Sequence, residues 1–314
     1  MLGRTASNLF WMSRYIERAE NIARLTEVGY RISMTPDTGS GHREDWKSTL
    51  IAAGCLDAFL RRHQTITAEK VQHFLLFDPE HPSSVRCCLE TARNNGRAVR
   101  TGLTREMWEA LNSTWIEFAA IKPGTLDSGK LPDFLDWIRQ RSNMFRGALL
   151  GTLLRDEGYF FAQLGAFVER ADNTARILDV KYYVLLPSHE MIGGGLDVYQ
   201  WETILRSVSA HTSYRHVYKD SYKPWNVAEF LILRPEMPRS LRFSYDWIER
   251  SLNGLQGINP AGDQARRQCA EVLGDLQNGS MDAIFQNGLH EFLSQFMLRN
   301  NQISASVASE YHFQ

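Results

Sequence analysis

The sequence predicts an all-α fold, a helical bundle built from two tandem-duplicated helical units. Three observations predict it. Apolar residues recur at helical spacing while period-two alternation is scarce. The ten prolines gather at punctuation points, leaving intervals such as 133–186 free of a helix breaker. Three segments recur in the same order about 155 residues apart. A chain of 314 residues is long enough for two ordinary domains or one large one, and either buries a sizeable core. About ten to twelve helices are expected.

Along the chain, Tyr15, Ile16, Ala19, Ile22 and Ala23 line one side of the first helix. Thr67 before Ala68-Glu69, Ser188 before His189-Glu190, and Asn259-Pro260 as N-cap and N1 read as helix starts. The apolar runs Phe74 to Phe77 and Phe230 to Leu233 are too isolated to find sheet partners and read as helix ends. Each leads into a proline pair, Asp78-Pro79-Glu80-His81-Pro82 and Arg234-Pro235-Glu236-Met237-Pro238, expected to stop one helix and start the next. Arg86 and Arg242, one turn later, are candidates to hold an anion there. Gly193-Gly194-Gly195 follows no strand and lacks a P-loop lysine, so it reads as an inter-helix turn.

The repeat is specific. Tyr15-Ile-Glu-Arg-Ala-Glu-Asn-Ile-Ala-Arg24 returns as Phe167-Val-Glu-Arg-Ala-Asp-Asn-Thr-Ala-Arg176, offset by 152 residues. Asp45 to Leu50 pairs with Gln200 to Leu205 at 155, and Phe74 to Arg86 with Phe230 to Arg242 at 156. The expected organisation is a single domain, 1–314, of two repeats, 1–120 and 156–314, joined by 121–155.

At 100° per residue, Ser13, Glu17, Glu20, Asn21 and Arg24 fall on one polar arc of the first helix, flanked by Arg14 and Arg18. Ala19 and Ala23, and their counterparts Ala171 and Ala175, allow another helix to approach closely. Two readings of the arc stand. In one it is a structural ion network: Glu20 with Arg24 at i, i+4, Arg14 with Glu17 at i, i+3, and charges that cancel within each copy. In the other, the two Glu-Arg helices face each other across a polar cleft. There Arg18, Glu20, Asn21, Arg24, Arg170, Asp172, Asn173 and Arg176 bind a substrate or partner, and Glu17 or Glu169 is a candidate acid/base.

Several classes are excluded. With 35 basic residues against 36 acidic ones and few adjacent arginines, there is no footprint for nucleic acid. No apolar run approaches a membrane span, and Arg14 and Glu17 interrupt any secretory core, so a cytoplasmic protein is expected. Cys55, Cys87, Cys88 and Cys269 form no C-x-x-C pair and read as buried thiols. No histidine follows a glutamate by three, and His189-Glu190 and His290-Glu291 lack a second histidine, so neither metal nor cofactor is expected. No nucleophile motif is present.

Tyr15-Ile-Glu-Arg-Ala-Glu with Asn21 and Arg24, Phe167-Val-Glu-Arg-Ala-Asp with Asn173 and Arg176, and Arg155-Asp-Glu-Gly-Tyr-Phe160 carry a resemblance. Over essentially its whole length the chain resembles the bacterial alpha-E domain family, an all-helical group named for its glutamate-arginine motif. The motif falls on Glu17, Arg18, Glu169 and Arg170. Ala92 to Arg97 and Glu106 to Asn112 also look like the family. The resemblance implies a cytosolic protein encoded beside a circularly permuted ATP-grasp protein, often with a transglutaminase-like protein, in a system that makes or modifies a peptide. The expected role is an accessory or co-catalytic partner of that ligase, its cleft holding a peptide carboxylate, a small anionic ligand, an amine or a partner loop. A stand-alone amide-transferring or amide-hydrolysing enzyme and a scaffold without a pocket are the alternatives.

Overall fold

The computed structural model describes residues 1–34, 42–122, 124, 129–183, 194–219 and 222–313. Among them lie fifteen α-helices and no strand. They are α1 (Gly3–Ser33), α2 (His42–Ala52), α3 (Leu56–Leu60), α4 (Ala68–Leu76), α5 (Val85–Ala98), α6 (Arg105–Ala120), α7 (Leu131–Thr152) and α8 (Glu157–Tyr183). The chain continues through α9 (Gly195–Ser207), α10 (His211–Tyr218), α11 (Pro224–Ile232), α12 (Leu241–Gln256), α13 (Asp263–Asn278), α14 (Met281–Asn287) and α15 (Leu289–Glu310).

The number exceeds the ten to twelve expected because left-handed turns cut continuous helical patterns. Gly288, at φ 94°, separates α14 from α15, and Lys219, at φ 51°, ends α10. Thr67 caps α4 as expected, its side chain accepting from the Lys70 amide at 3.4 Å. Asn259-Pro260 does not start a helix. The Asn259 side chain accepts from the Ala261 amide at 3.2 Å in a local turn, and α13 begins only after Gly262. The Ser188 start and Gly193 lie outside the described residues; Gly194 precedes the first residue of α9.

The two longest motif helices, α1 and α8, pack against each other at the centre. Ala19, Ala23, Ala171 and Ala175 are fully buried there. A Cβ at Gly165 would stand 2.2 Å from the Phe10 carbonyl oxygen, so the backbones meet where no side chain fits between them. Around this pair the contacts repeat. α5 and α7 pack on α1 with α6 against both of them, and α12 and α15 pack on α8 with α13 against both of them. α5 buries Val85, Cys88, Leu89, Ala92 and Gly96, and α12 buries Leu241, Tyr245, Ile248, Leu252 and Leu255, each a stripe at helical spacing. Arg93 of α5 donates to Asn112 of α6 at 2.8 Å, so those two family-like stretches meet as an inter-helix contact.

The proline-rich turns are built alike. Ser84 caps α5 by accepting from the Cys87 amide at 3.2 Å and donates to the Asp78 carbonyl at 2.7 Å. Ser240 caps α12 by accepting from the Phe243 amide at 2.9 Å and donates to the Arg234 carbonyl at 2.5 Å. Arg242 pairs with Asp246 at 3.3 Å. Cys55, Cys88 and Cys269 are buried free thiols, and Cys87 is half-buried. Among the described residues no helix is long and apolar enough to cross a membrane.

Candidate functional site

An α-helix with polar residues on one arc normally turns that arc to water. In α1 it is buried: Glu17, Glu20, Asn21 and Arg24 are each at most 4 % exposed, because α8 and its neighbours cover them. Buried charges need partners, and these arrive from across the crossing. Arg170 of α8 reaches back to Glu17 with Nε–Oε1 2.9 Å and Nη2–Oε2 3.1 Å. Arg18 of α1 reaches forward to Glu169 with Nε–Oε1 2.6 Å and Nη2–Oε2 2.9 Å. Both forks are bidentate, which a guanidinium's planar geometry favours. Each motif thus supplies the cation for the other's acid.

The next shared positions close the arrangement locally. Arg24 pairs with Glu20 at 2.6 Å and Arg176 with Asp172 at 2.6 Å, both at i, i+4. The far ends of these arginines also correspond. Arg176 donates to the Ala52 carbonyl at the end of α2 at 3.2 Å, and Arg24 donates to the Ser207 carbonyl at the end of α9. Ser142 of α7 donates to the Ile16 carbonyl at 3.2 Å, as Asn300 of α15 does to the Val168 carbonyl at 2.9 Å.

Three further arginines break this correspondence. Arg146 of α7 donates to Glu17 at 2.7 Å and also to Glu20. Arg239, in the turn before α12, contacts Glu17 at 3.3 Å and also Glu20. Arg14 pairs with Glu169 at 2.8 Å and donates to Ser304 at 2.7 Å. Its expected i, i+3 pair with Glu17 does not form, because Glu17 is turned towards α7 and the Arg239 turn. The motif charges themselves cancel, two acids against two arginines in each copy, but Arg14, Arg146 and Arg239 add to them. Four carboxylates, Glu17, Glu20, Glu169 and Asp172, are joined to seven guanidiniums. The segment expected only to join two repeats supplies Arg146, one of these cations.

The electrostatics follow the surplus. Burial alone would raise the Glu17 carboxyl, but Arg170, Arg146 and Arg239 outweigh it and hold it at about 2. Against the same burial, Arg18 and Arg14 hold Glu169 at about 2, and Arg239, Arg24 and Arg146 hold Glu20 well below the usual range. Arg239 moves the other way. Burial, with Arg24 beside it, pushes its guanidinium down to about 9, which still leaves it cationic at neutral pH. Glu17 and Glu169 are therefore ionised and saturated with donors, an environment that suits neither a general acid nor a base poised near neutrality.

Two cavities flank the crossing. One, of about 230 Å³, is lined by Arg14, Arg18, Asn21, Asn173, Arg176 and Ser83 together with the two carboxylates of the α8 motif. Asn21 donates to the Glu169 carbonyl at 3.3 Å, while its Oδ1 and both amide atoms of Asn173 are buried without a partner. The other, of about 370 Å³, has Glu17, Arg146 and Arg170 on one wall and an apolar wall of Phe167, Phe243 and Trp247. Phe167 stacks on Trp247 at 5.3 Å. The ten residues singled out in the two motifs thus gather at the crossing in adjoining groups: Glu17, Glu20, Arg24 and Arg170 with Arg146 and Arg239, Glu169, Arg18 and Asn21 with Arg14, and the Asp172–Arg176 pair, while Asn173 stands beside them without a partner. Among the described residues no group of three or more His, Cys, Asp or Glu side chains is gathered to hold a metal. His290 instead pairs with Asp179 at 2.7 Å.

Comparison with known proteins adds relatives but no characterised one. The chain is 24 % identical over 278 residues to an uncharacterized protein of Mycobacterium bovis and to one of Mycobacterium tuberculosis, and 23 % identical to a second from Mycobacterium tuberculosis. Each match covers 81 % of this chain and 30 % of the relative, so the chain spans about a third of the length of the curated relatives it matches. No solved structure matches the chain. A family model matches residues 1–312, that of a predicted alpha-helical domain with a conserved ER motif. The Glu-Arg pairs that cross-link α1 and α8 are of that kind, and the chain belongs to the Alpha-E family.

Proposed function

We propose that this chain is a cytoplasmic accessory or co-catalytic partner of a circularly permuted ATP-grasp ligase in a bacterial system that synthesises or modifies a peptide. On this reading its Glu-Arg crossing binds a carboxylate-bearing ligand or partner segment. The observation that carries it is the surplus of guanidinium over carboxylate at the crossing, with a cavity on each side. Uncompensated buried cations favour an anion nearby, and arginine forks match carboxylate geometry. The longer mycobacterial relatives agree with a unit that works beside other protein modules. A transglutaminase-like protein is a second expected partner, from the family resemblance.

The same network supports a two-unit origin. The paired caps, the paired contacts of Arg24 and Arg176 with the Ser207 and Ala52 carbonyls, and the reciprocal Glu-Arg forks are what a duplicated helical unit, 1–120 and 156–314, would leave. A stand-alone acid/base enzyme is less well supported, because both candidate glutamates are held ionised by paired arginines. Full pairing of every carboxylate favours a scaffold role as the second reading. The test mixes purified chain, ATP, the ligase and an acceptor peptide, omitting each in turn. Ligase ATP turnover that depends on this chain supports the partner reading; unchanged turnover and product without it overturns that reading, and consumption of peptide by this chain alone establishes the enzyme.

A further inference from the structure

We infer that the smaller cavity, between the α1–α8 crossing and the Asp78–Ser84 turn, receives the C-terminal end of a peptide: a terminal carboxylate with its last amide bond behind it. The assignment rests on the binding role proposed above and gives that role a place and a ligand class.

The cavity exists because of one position. The turns before α5 and α12 are built on the same serine cap, Ser84 and Ser240, and the residue preceding each points to the crossing with opposite consequences. Before α12 it is Arg239, whose guanidinium reaches Glu17 and Glu20 and takes the place beside that pair of acids, so the larger cavity lies further out, against Phe167, Phe243 and Trp247. Before α5 it is Ser83, too short to reach Glu169 or Asp172, and the space beside them stays open as about 230 Å³. That is less than the 300–1,000 Å³ typical of drug-sized sites, and it suits a group of amino-acid size.

Its lining selects the ligand. Arg18 uses Nε and Nη2 on Glu169, and Arg14 uses Nε and Nη1 on Glu169 and Ser304, so each keeps a terminal amino group for a further acceptor. A carboxylate is the small anion that two such groups hold best. Asn173 is 2 % exposed with both amide atoms unpaired, and Asn21 is 4 % exposed with Oδ1 unpaired. Buried polar atoms are normally satisfied. A side-chain amide presents a donor beside an acceptor, the complement of a peptide group, whose N–H donates while its C=O accepts. Phosphate or sulfate, rich in acceptors, would leave the two Oδ1 atoms unsatisfied and would add more negative charge than a carboxylate close to Glu169 and Asp172. A free amide-bearing amino acid shares the carboxylate-plus-amide chemistry, so the experiment separates it from a peptide end.

The test measures binding to the full chain by calorimetry, using N-acetyl-glycyl-glycine, its C-terminal amide, acetate and free glutamine. The expected result is that N-acetyl-glycyl-glycine binds, with its amide and acetate each weaker by about ten- to a hundredfold. Ser83→Arg places at position 83 the side chain that stands beside the acids on the opposite face, and is expected to abolish binding in a protein that still folds. Asn173→Ala is expected to bring N-acetyl-glycyl-glycine down to the level of acetate, and it serves if Ser83→Arg does not fold. No binding of N-acetyl-glycyl-glycine, or undiminished binding to folded Ser83→Arg or to Asn173→Ala, overturns the assignment. Preference for glutamine overturns the peptide end in favour of a free amino acid. If ligase turnover still depends on this chain while the probe fails to bind, only the ligand assignment falls. If omission of the chain changes nothing, the partner reading falls instead.

Discussion

Charge surplus at the α1–α8 crossing makes acid and base substitutions unequal. Glu17→Gln removes the carboxylate shared by Arg170, Arg146 and Arg239, leaving Arg170 without an ion-pair partner and raising the surplus of buried positive charge. Breaking a buried pair from one side costs about 3–5 kcal/mol, and the structure places Glu17 at the upper end because three cations lose it together. Arg239→Met removes a cation from the surplus side. Glu20 keeps Arg24 and Arg146, Glu17 keeps Arg170 and Arg146, and a chain of similar volume remains, so the expected cost is below about 1.5 kcal/mol. For a chain of this size about 2 °C of melting temperature corresponds to each kcal/mol. Glu17→Gln should therefore melt roughly 6–10 °C below the wild type and Arg239→Met within about 3 °C. The double variant should recover part of the Glu17→Gln loss, because it returns the charge balance towards the starting value. Urea midpoints and melting curves on the four proteins decide it. An Arg239→Met loss equal to that of Glu17→Gln, with additive behaviour in the double variant, would refute the surplus argument.

Other outcomes follow from single contacts. Acid stability should fall in two windows. Burial lowers His81, stacked on Phe74 at 4.2 Å, to about 4 from 6.5, so protonation favours the unfolded chain; up to about 3 kcal/mol present above pH 6.5 is lost on the way to pH 4. Glu17 and Glu169, at about 2 against 4.5, keep their contribution above pH 4.5 and lose it as pH falls towards 2. His81→Phe should flatten the upper window alone in pH-dependent urea titrations. Gly165→Ala must push α1 and α8 apart at the Phe10 carbonyl and should cost about 1–3 kcal/mol, whereas Gly147→Ala on α7, with nothing within 4 Å, should be neutral or slightly stabilising. Ser84→Ala and Ser240→Ala should each cost about 1–2 kcal/mol and by similar amounts, since each loses a cap and a carbonyl contact; thermal melts with clearly unequal losses would separate the two turns.

Much of the fold was readable because its signals are local. The all-α class came from periodicity, and the positions of α4 and α11 from apolar runs that stop at prolines. The ten motif residues were readable because they recur, and recurrence does not depend on knowing the partner. The cations that complete the network were not readable in that way. Arg146 and Arg239 lie 129 and 222 residues from Glu17, and neither has an arginine at the corresponding place in the other half. Helical spacing puts Arg14 and Glu17 on one side of α1 without deciding which neighbour each faces, and Arg14 goes to Glu169. Asn259-Pro260 failed for a related reason: the N-cap signal was sound as chemistry, and its bond went to a turn two residues on. One signal for the cavity was in the aligned turns, where Ser83 stands opposite Arg239.

The exchange of ions across α1 and α8 bears on how the molecule comes apart. All three partners of Glu17 belong to residues beyond 120, and Glu169 depends on two arginines from α1. Pulling the halves away from each other would strand several naked charges at once on both faces. Loosening at this seam is therefore tied to global melting, and an inheritable change that alters one half is constrained by what the other half already holds.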